Sequence, residues 1–284
     1  MASIPLDIIN DILCRLSVED LLRFRCISKP WCSLIDSPNF IKLHLSHSLK
    51  THTRLSLILK DNDSDYYSVN LDSLQTAQKI NHAPDGNQTP ILGSCNGLLA
   101  LLNPDDQVIL WNPSTRKSKL LPVSEVEFPP DYIVDFVVYG LGYDPFSDDY
   151  KLVRMVQFVG QGDDSISNHR REVKVYNLKT DSWRRVKDFP LCLRYAAHGI
   201  LVSNALHWVA SEKSGLLGKS FVAAFDLGTE DYHVVQLPNL LSERFHLIVE
   251  AMEGCLCIIV KYWEIFVDDI WIMKEYGSKN LGPS

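Results

Sequence analysis

The stretch GSCNGLLALLN, Gly93 to Asn103, sets a thiol between two glycines in a G-x-C-x-G pattern. In a nucleophile elbow that spacing lifts the nucleophile onto a sharp turn between a strand and a helix. Cys95 would then be a catalytic thiol, needing a His and an acid brought close in space. Its neighbours argue against this. Nothing strand-like precedes Gly93, because DGNQTPIL is rich in turn formers, and LLALL before Asn103-Pro104-Asp105-Asp106 is too short for a helix. QVILW follows. The pattern predicts a glycine-led turn into a hairpin that ends at LWNPSTR, with Gly93 and Gly97 supplying turn conformations and Cys95 a small buried side chain.

Other chemistry-like clusters read the same way. DNDSDYYSVNLD (61–72) places acids as a calcium loop does, but Tyr66 stands where the sharp turn demands Gly. It predicts an acidic hairpin tip. Asp148-Asp149 and Asp268-Asp269 are adjacent, so in strands they point to opposite faces and cannot pair as acid and base. Both are expected in or beside turns. The nine histidines show no ligand spacing. Cys255 and Cys257 share a strand face, where core packing outweighs a metal pair. No metal, cofactor or catalytic residue is expected. HRRE (169–172) and SWRRVK (182–187) are small basic spots: solvated hairpin edges, or a rim for an acidic target.

The bulk numbers limit the classes further. The chain has 284 residues, net charge −7 and 46% hydrophobic content, enough for about two domains with their own cores. Residues 1–50 carry six Lys/Arg and five Asp/Glu, +1, so the remainder carries −8. An acidic β segment argues against nucleic acid. Seven scattered cysteines form no paired C-x-x-C motifs, which fits reduced thiols in the cytoplasm and/or nucleus. Asp7 and Asp11 interrupt any signal peptide, and runs such as CLCIIV fall far short of the roughly 20 residues of a membrane span. The sequons at Asn62 and Asn87 are expected to be unused.

Positioning begins with residues 1–46, whose pattern predicts four short helices. Ser3 can cap the first, with Pro5 in its first turn. Ile8, Ile12 and Leu16 recur every four residues beside Ile9 and Leu13, one broad apolar stripe. Ser17 with Asp20 is a capping-box-like restart before Leu21 and Leu22. Ser28-Lys29-Pro30 punctuates again, with Pro30 tolerable only in a first turn. Trp31, Leu34 and Ile35 form a third face. Ser37-Pro38 opens a last turn ending near Leu45. So many apolar positions exceed what 46 residues can bury; the surplus faces a partner or packs on the second domain.

After a polar connector, 47–54, the period changes to two. Residues 55–284 read as short β-branched and aromatic runs split by Asn, Asp, Pro and Gly, an all-β sandwich, barrel or propeller. ILWNPSTRKSKLLP (109–122), KVYNLKTDSWRRV (174–186) and AAFDLGTEDYHVVQLP (223–238) share one frame. Trp111, Tyr176 and Phe225 end a strand. Asn112, Asn177 and Asp226 bond their own backbone and start the turn. Thr115, Thr180 and Thr229 follow, and Ser118, Trp183 or Tyr232 opens the next strand. These units lie 65 and 49 residues apart. Each is followed by a glycine-led hairpin: 140–158, 199–211 and 253–263.

With these residues in place, the N-terminal segment resembles an F-box. Ile4-Pro5, the Ile8/Ile12/Leu13/Leu16 helix, Leu21-Leu22-Arg23-Phe24-Arg25, SKPW, Leu34-Ile35 and Phe40 agree in order. Ser17 departs from the family's usual Pro. The resemblance implies docking on a Skp-type adaptor and, through it, a cullin. Residues at or beneath that interface would be Ile4, Pro5, Ile8, Ile12, Leu13, Leu16 and Leu21, over a core of Leu22, Trp31, Leu34, Ile35 and Phe40. From Leu55 to Gly277 the chain is similar to the plant F-box-associated, kelch-like interaction domain of the constitutive-expresser-of-pathogenesis-related-genes type, through GSCNGLL, WNPSTR, YGLGYDPFSDDYKLVRM, EVKVYNLKTDSWRR, LHWV, FDL and DDIWIMKEYG. The family continues past W-x-M-K-x-Y, so an incomplete propeller-like domain is expected here.

The fold expected is therefore α+β by segments: a small all-α F-box, then a mainly antiparallel β domain. The resemblance implies a non-catalytic substrate-recognition subunit of a Skp–cullin–F-box ubiquitin ligase, recruiting an unidentified target protein for degradation. Two alternatives stand beside it: a truncated, dominant-negative or non-ligase scaffold, and a cysteine hydrolase using Cys95.

Overall fold

The computed structural model describes residues 5–53, 55–61, 65–71, 76–80, 83–84, 89–127, 130–160, 169–212, 219–237, 245–262, 268–276 and 282–283. Four helices come first: α1 (Leu6–Cys14), α2 (Val18–Phe24), α3 (Lys29–Ile35) and α4 (Pro38–Thr51). Serines start three of them. Ser17, Ser28 and Ser37 accept the N–H groups of Asp20, Trp31 and Phe40, each satisfying one orphan donor of a first turn. Pro30 lies in the first turn of α3. At α1 the structure differs: Pro5 occupies the cap position, with no side-chain cap bond, and Ser3 lies outside the described residues.

The last helix also departs from the pattern. It runs 14 residues to Thr51, so the segment read as a connector (47–54) is largely helical. Its polar residues suit a solvent-facing side, and His52 ends it in the left-handed conformation at φ 50°.

Among the described residues the β segment forms five antiparallel sheets. The first holds β1 (Ser56–Lys60), β2 (Tyr66–Asn70) and β3 (Gln78–Lys79). The second holds β4 (Ile91–Cys95), β5 (Leu98–Leu102), β6 (Val108–Asn112) and β7 (Lys117–Leu120). The third is β8 (Tyr132–Asp144), β9 (Asp149–Gly160), β10 (His169–Asn177) and β11 (Ser182–Arg185). The fourth comprises β12 (Cys192–Leu193), β13 (Ile200–Val202), β14 (Ala205–Ser211), β15 (Ser220–Asp226) and β16 (Tyr232–Val235). The fifth is β17 (Phe245–Met252), β18 (Cys255–Tyr262), β19 (Asp268–Met273) and β20 (Gly282–Pro283). Strands mostly neighbour their predecessors; β14 takes both β12 and β13 on one side.

By internal contacts the chain divides into two units: residues 1–90 with 96–120, and residues 91–95 with 121–284. In the second, period-two alternation builds two separate cores. Leu206, Trp208 and Ala210 of β14 and Ala223 and Phe225 of β15 pack with Val138, Val153, Met155, Val173 and Val175 of the third sheet. Their sequence neighbours Ala205, Val209, Val222 and Ala224 pack with Leu247, Val249, Leu256, Ile258 and Val260 of the fifth. The fourth sheet is thus covered on both faces, and β14 is buried throughout. Outer strands are the reverse: β7 reads KSKL and β11 SWRR, almost wholly exposed. Charge on a free edge discourages strand pairing between molecules.

Two glycines carry the geometry. Asn96 and Gly97, at φ 52° and 80°, make the two-residue turn after β4, a pairing whose positive angles suit a hairpin. Gly142 lies mid-strand, where a Cβ would strike Leu227 Cδ1. Gly93 corrects the sequence reading. It belongs to β4, and a Cβ there would stand 3.1 Å from the Leu141 backbone N, so it serves close approach and only Gly97 the turn.

Candidate docking surface and hairpin turns

The helical segment sorts its apolar residues into two sets. Leu13, Cys14, Leu21, Ile35 and Phe40 form the buried core, with Ile9, Leu16, Phe24, Trp31 and Leu34 packed against it. Phe24 stacks on Trp31 at 5.5 Å between centroids, and His44 Nε2 bonds the Leu16 carbonyl oxygen at 3.0 Å. The other set faces outward. Leu6, Ile8 and Ile12 are 57%, 51% and 53% exposed, and Pro5 is exposed beside them. Ile8 and Ile12, four apart, share one side of α1, flanked by the Asp11–Arg15 ion pair.

This sorts the residues that the resemblance assigned to adaptor binding. Pro5, Ile8 and Ile12 are accessible. Leu13 and Leu21 are 1% and 5% exposed, so they shape the surface from beneath. Leu16 is half-buried, and Ile4 lies outside the described residues. Of the expected core, Trp31, Leu34, Ile35 and Phe40 belong to it; Leu22, half-exposed, does not. Leu22 sits about 100° around α2 from the buried Leu21, on a part of the helix that solvent reaches. Leu6 was missed; its signal was exposure, which the stripe pattern does not encode.

The hairpin frame is register-true. Trp111 pairs with Ser118, Tyr176 with Trp183, and Phe225 with Tyr232. Asn112 Oδ1 accepts the Thr115 N–H at 2.9 Å, and Asp226 Oδ1 accepts those of Gly228 and Thr229 at 2.8 Å each. Asn177 differs: its amide donates to Asp149 across the sheet, and Asp149 accepts the Lys179 N–H. The turn is held by a neighbouring strand instead of its own first residue.

The frame also occurs a fourth time. In YDPFSDDY, Tyr143 pairs with Tyr150 and Asp144 accepts the Phe146 N–H. Sequence reading placed this stretch in a glycine-led hairpin. It divides the 65-residue interval, since Asp144 lies 32 residues after Asn112 and 33 before Asn177. Four residues after the turn-starting Asn or Asp, each copy puts a non-glycine residue at positive φ: Arg116 60°, Asp148 54°, Asp181 50° and Glu230 62°. Tyr143 and Tyr176 donate their hydroxyls to Asp148 and Asp181, bracing two of these strained positions.

Cys95 is 7% exposed at the end of β4, and burial pushes its thiol up to about 12. A thiol so held carries no thiolate near neutral pH, so the geometry does not support a nucleophile. Arg184 and Arg185 are not free basic groups either: Arg184 pairs with Glu230, and Arg185 with Glu127 and Asp188. Sequence reasoning missed the buried charges. Lys151 meets Asp144 at 3.1 Å and Glu230 at 3.2 Å. Arg154 meets Glu172 at 2.8 Å, stacks over Trp183, and donates to the Ser124 and Glu125 carbonyls. Among the described residues no group of three His, Cys, Asp or Glu is arranged to hold a metal.

The chain matches the F-box domain over residues 1–43 and the F-box associated beta propeller domain over residues 53–282. The F-box protein CPR1 of Arabidopsis thaliana is 38% identical, across 99% of this chain and 71% of its own length. F-box protein At4g22390 of the same plant is 35% identical, across 97% of this chain and 71% of its own. The F-box/kelch-repeat protein At3g23880 is 28% identical, across 97% and 77%. Four short helices around an apolar core precede five antiparallel sheets among the described residues, and the chain belongs to the F-box proteins that carry an F-box-associated β-propeller domain.

Proposed function

We propose that the protein is the substrate-receptor subunit of a Skp–cullin–F-box ubiquitin ligase, without catalytic activity of its own. The observation that carries this reading is the outward apolar edge of α1. Leu6, Ile8 and Ile12 stay more than half exposed although the segment's own core is complete without them. An apolar edge beside a finished core suits a partner better than the chain's own packing. The F-box match supports a Skp-type adaptor as that partner, and through it a cullin. The β domain would then hold a target protein near the conjugating enzyme. Rate comes from tethering, which makes transfer effectively intramolecular. Seven scattered cysteines that form no paired C-x-x-C motifs suit a reducing compartment, cytoplasm or nucleus.

The test is adaptor capture by the full chain. Half-exposed isoleucines that become buried gain about 1 kcal/mol each. Ile8→Ala with Ile12→Ala is expected to weaken adaptor binding about 30-fold. Ile8→Asp with Ile12→Asp is expected to abolish it, because a carboxylate must be desolvated. Both variants keep the wild-type circular dichroism, since neither side chain is in the core. Undiminished capture by the Asp pair overturns the docking model.

A further inference from the structure

Ser124 lies in LPVSEVE, the irregular stretch between β7 and β8, with Glu125 and Glu127 one and three residues after it. This stretch is strapped along the third sheet by side chains. Trp183 Nε1 donates to the Pro122 carbonyl at 2.9 Å, Lys174 Nζ to that of Glu125 at 2.8 Å, and Arg154 to those of Ser124 and Glu125. The Glu127 N–H donates to Glu172 at 2.9 Å. The strap's backbone is thereby held while its side chains project. Glu125 and Glu127 are exposed, and Ser124 is half-exposed. The Ser124 hydroxyl makes no hydrogen bond among the described residues.

Ser124 also lies beside charged groups of both signs, since Glu125, Glu127 and Asp181 share its groove with the basic residues. It lines one open groove together with Lys174, Trp183, Arg184 and Arg185. Lys174 and Arg185 hold the Glu127 carboxyl below its ordinary range, Lys174 by the larger share. A serine with an acid three residues on occurs at two other places, Ser17 and Ser33. Ser17 is occupied as the cap of α2, and Ser33 is wound into α3. Only Ser124 offers a free hydroxyl on an irregular, accessible backbone.

We propose that Ser124 is a phosphorylation site for an acidophilic Ser/Thr kinase, and that Lys174 and Arg185 receive the phosphate. The Ser124 Oγ attacks the γ-phosphorus of ATP. The bond to the β,γ-bridging oxygen breaks, ADP leaves, and the hydroxyl proton passes to the kinase's catalytic aspartate. The kinase reads the Glu125 and Glu127 carboxylates; the exposed ion pairs of Glu127 are weak enough to yield. The new phosphate then competes with Glu127 for Lys174 and Arg185, since a phosphoserine carries nearly two charges and three acceptor oxygens.

The test uses the purified full chain with ATP and an acidophilic kinase that recognises an acid three residues after its acceptor. One phosphate per chain at Ser124 is expected by intact mass and peptide mapping. Ser124→Ala removes it, and Glu127→Gln slows its incorporation about tenfold, as loss of one charge-assisted contact should. The phosphoprotein's phosphorus resonance should titrate below the usual second ionisation near 6 and return towards it in Arg185→Ala. No incorporation, incorporation that survives Ser124→Ala, or an equal rate in Glu127→Gln overturns the site. An unshifted titration overturns the receiving role of Lys174 and Arg185.

Discussion

Removing the Lys151 charge should expose how the third and fourth sheets are joined. Lys151 of β9 is 6% exposed and Asp144 2%. Its ammonium meets Asp144 at 3.1 Å, Glu230 at 3.2 Å and the Leu227 carbonyl oxygen. Lys151→Met keeps most of the buried chain and deletes the charge. Glu230 retains Arg184, so its carboxylate stays compensated. Asp144 retains only the Phe146 N–H at 3.0 Å and the Ser147 hydroxyl at 2.6 Å. One uncompensated buried charge costs about 3–5 kcal/mol; two surviving bonds place this one near the lower end. The orphaned Leu227 carbonyl adds about 1 kcal/mol. A total near 4 kcal/mol lowers the unfolding midpoint by about 10 °C for a unit of this size.

The pH dependence gives the sharper reading. In the wild type, burial alone would raise the Asp144 carboxyl, but bonds from Ser147, Lys151 and Phe146 together hold it below its ordinary value. That stability is present above the unfolded value near 3.9 and is lost as pH falls through the folded one. Without Lys151 burial dominates, the carboxyl rises, and protonation relieves the penalty. The gap between wild type and variant should therefore narrow on acidification. Denaturant unfolding at pH 7 and at pH 4 measures it. A loss under about 1 kcal/mol at pH 7, or a gap that widens at pH 4, would refute the argument.

Two further outcomes follow from the same unit. Gly142→Ala forces a methyl onto Leu227 and Leu201, and should cost about 1–3 kcal/mol by thermal unfolding; an unchanged midpoint would mean the sheets yield freely there. His207 is 1% exposed, bonded to the Ile200 carbonyl and the Tyr276 hydroxyl, and burial pushes it down to about 4. The unfolded ring takes a proton near 6.5 and the folded ring does not, so stability should fall by up to about 1.4 kcal/mol per pH unit between those values. His207→Gln should lose that slope, and an equal slope in denaturation midpoints would show that another group sets it.

Where a residue's role depends on its own side chain, the sequence was readable. Ser17 caps α2, as its spacing to Asp20 suggests, and Asn112 and Asp226 accept the N–H groups of their own turns; each aromatic read as ending a strand lies across from the residue read as opening the next. Where the role depends on what lies opposite, it was not. DYKLVRMVQF mixes charged and apolar residues without strict alternation, Lys151 and Arg154 standing three apart and so on opposite faces of the strand. Nearly all of β9 is nonetheless buried, so Lys151 and Arg154 had to find Asp144 and Glu172 on neighbouring strands and Glu230 in the turn before β16. Gly93 and Gly97 look alike in GSCNG, yet one meets Leu141 and the other only needs positive φ. Even Asn177, which matches Asn112 in its frame, yields its turn to Asp149 because that carboxylate lies beside it.

The fourth frame, YDPFSDDY, shows what the hidden part has in common. It was obscured because it joins β8 and β9, whose 13 and 12 residues exceed the short strands of the other copies. Its turn nonetheless carries the same left-handed residue at the same offset. That offset, unlike residue type, is shared by Arg116, Asp148, Asp181 and Glu230. Two of the four, Asp148 and Asp181, are held by a tyrosine from the strand before, and Glu230 by Lys151 and Arg184. The strained turn position is thus also where three of the four hairpins place an acid. In the second unit these acids anchor the tyrosines and the buried lysine, so the turn frame and the charge network are one device read at two levels.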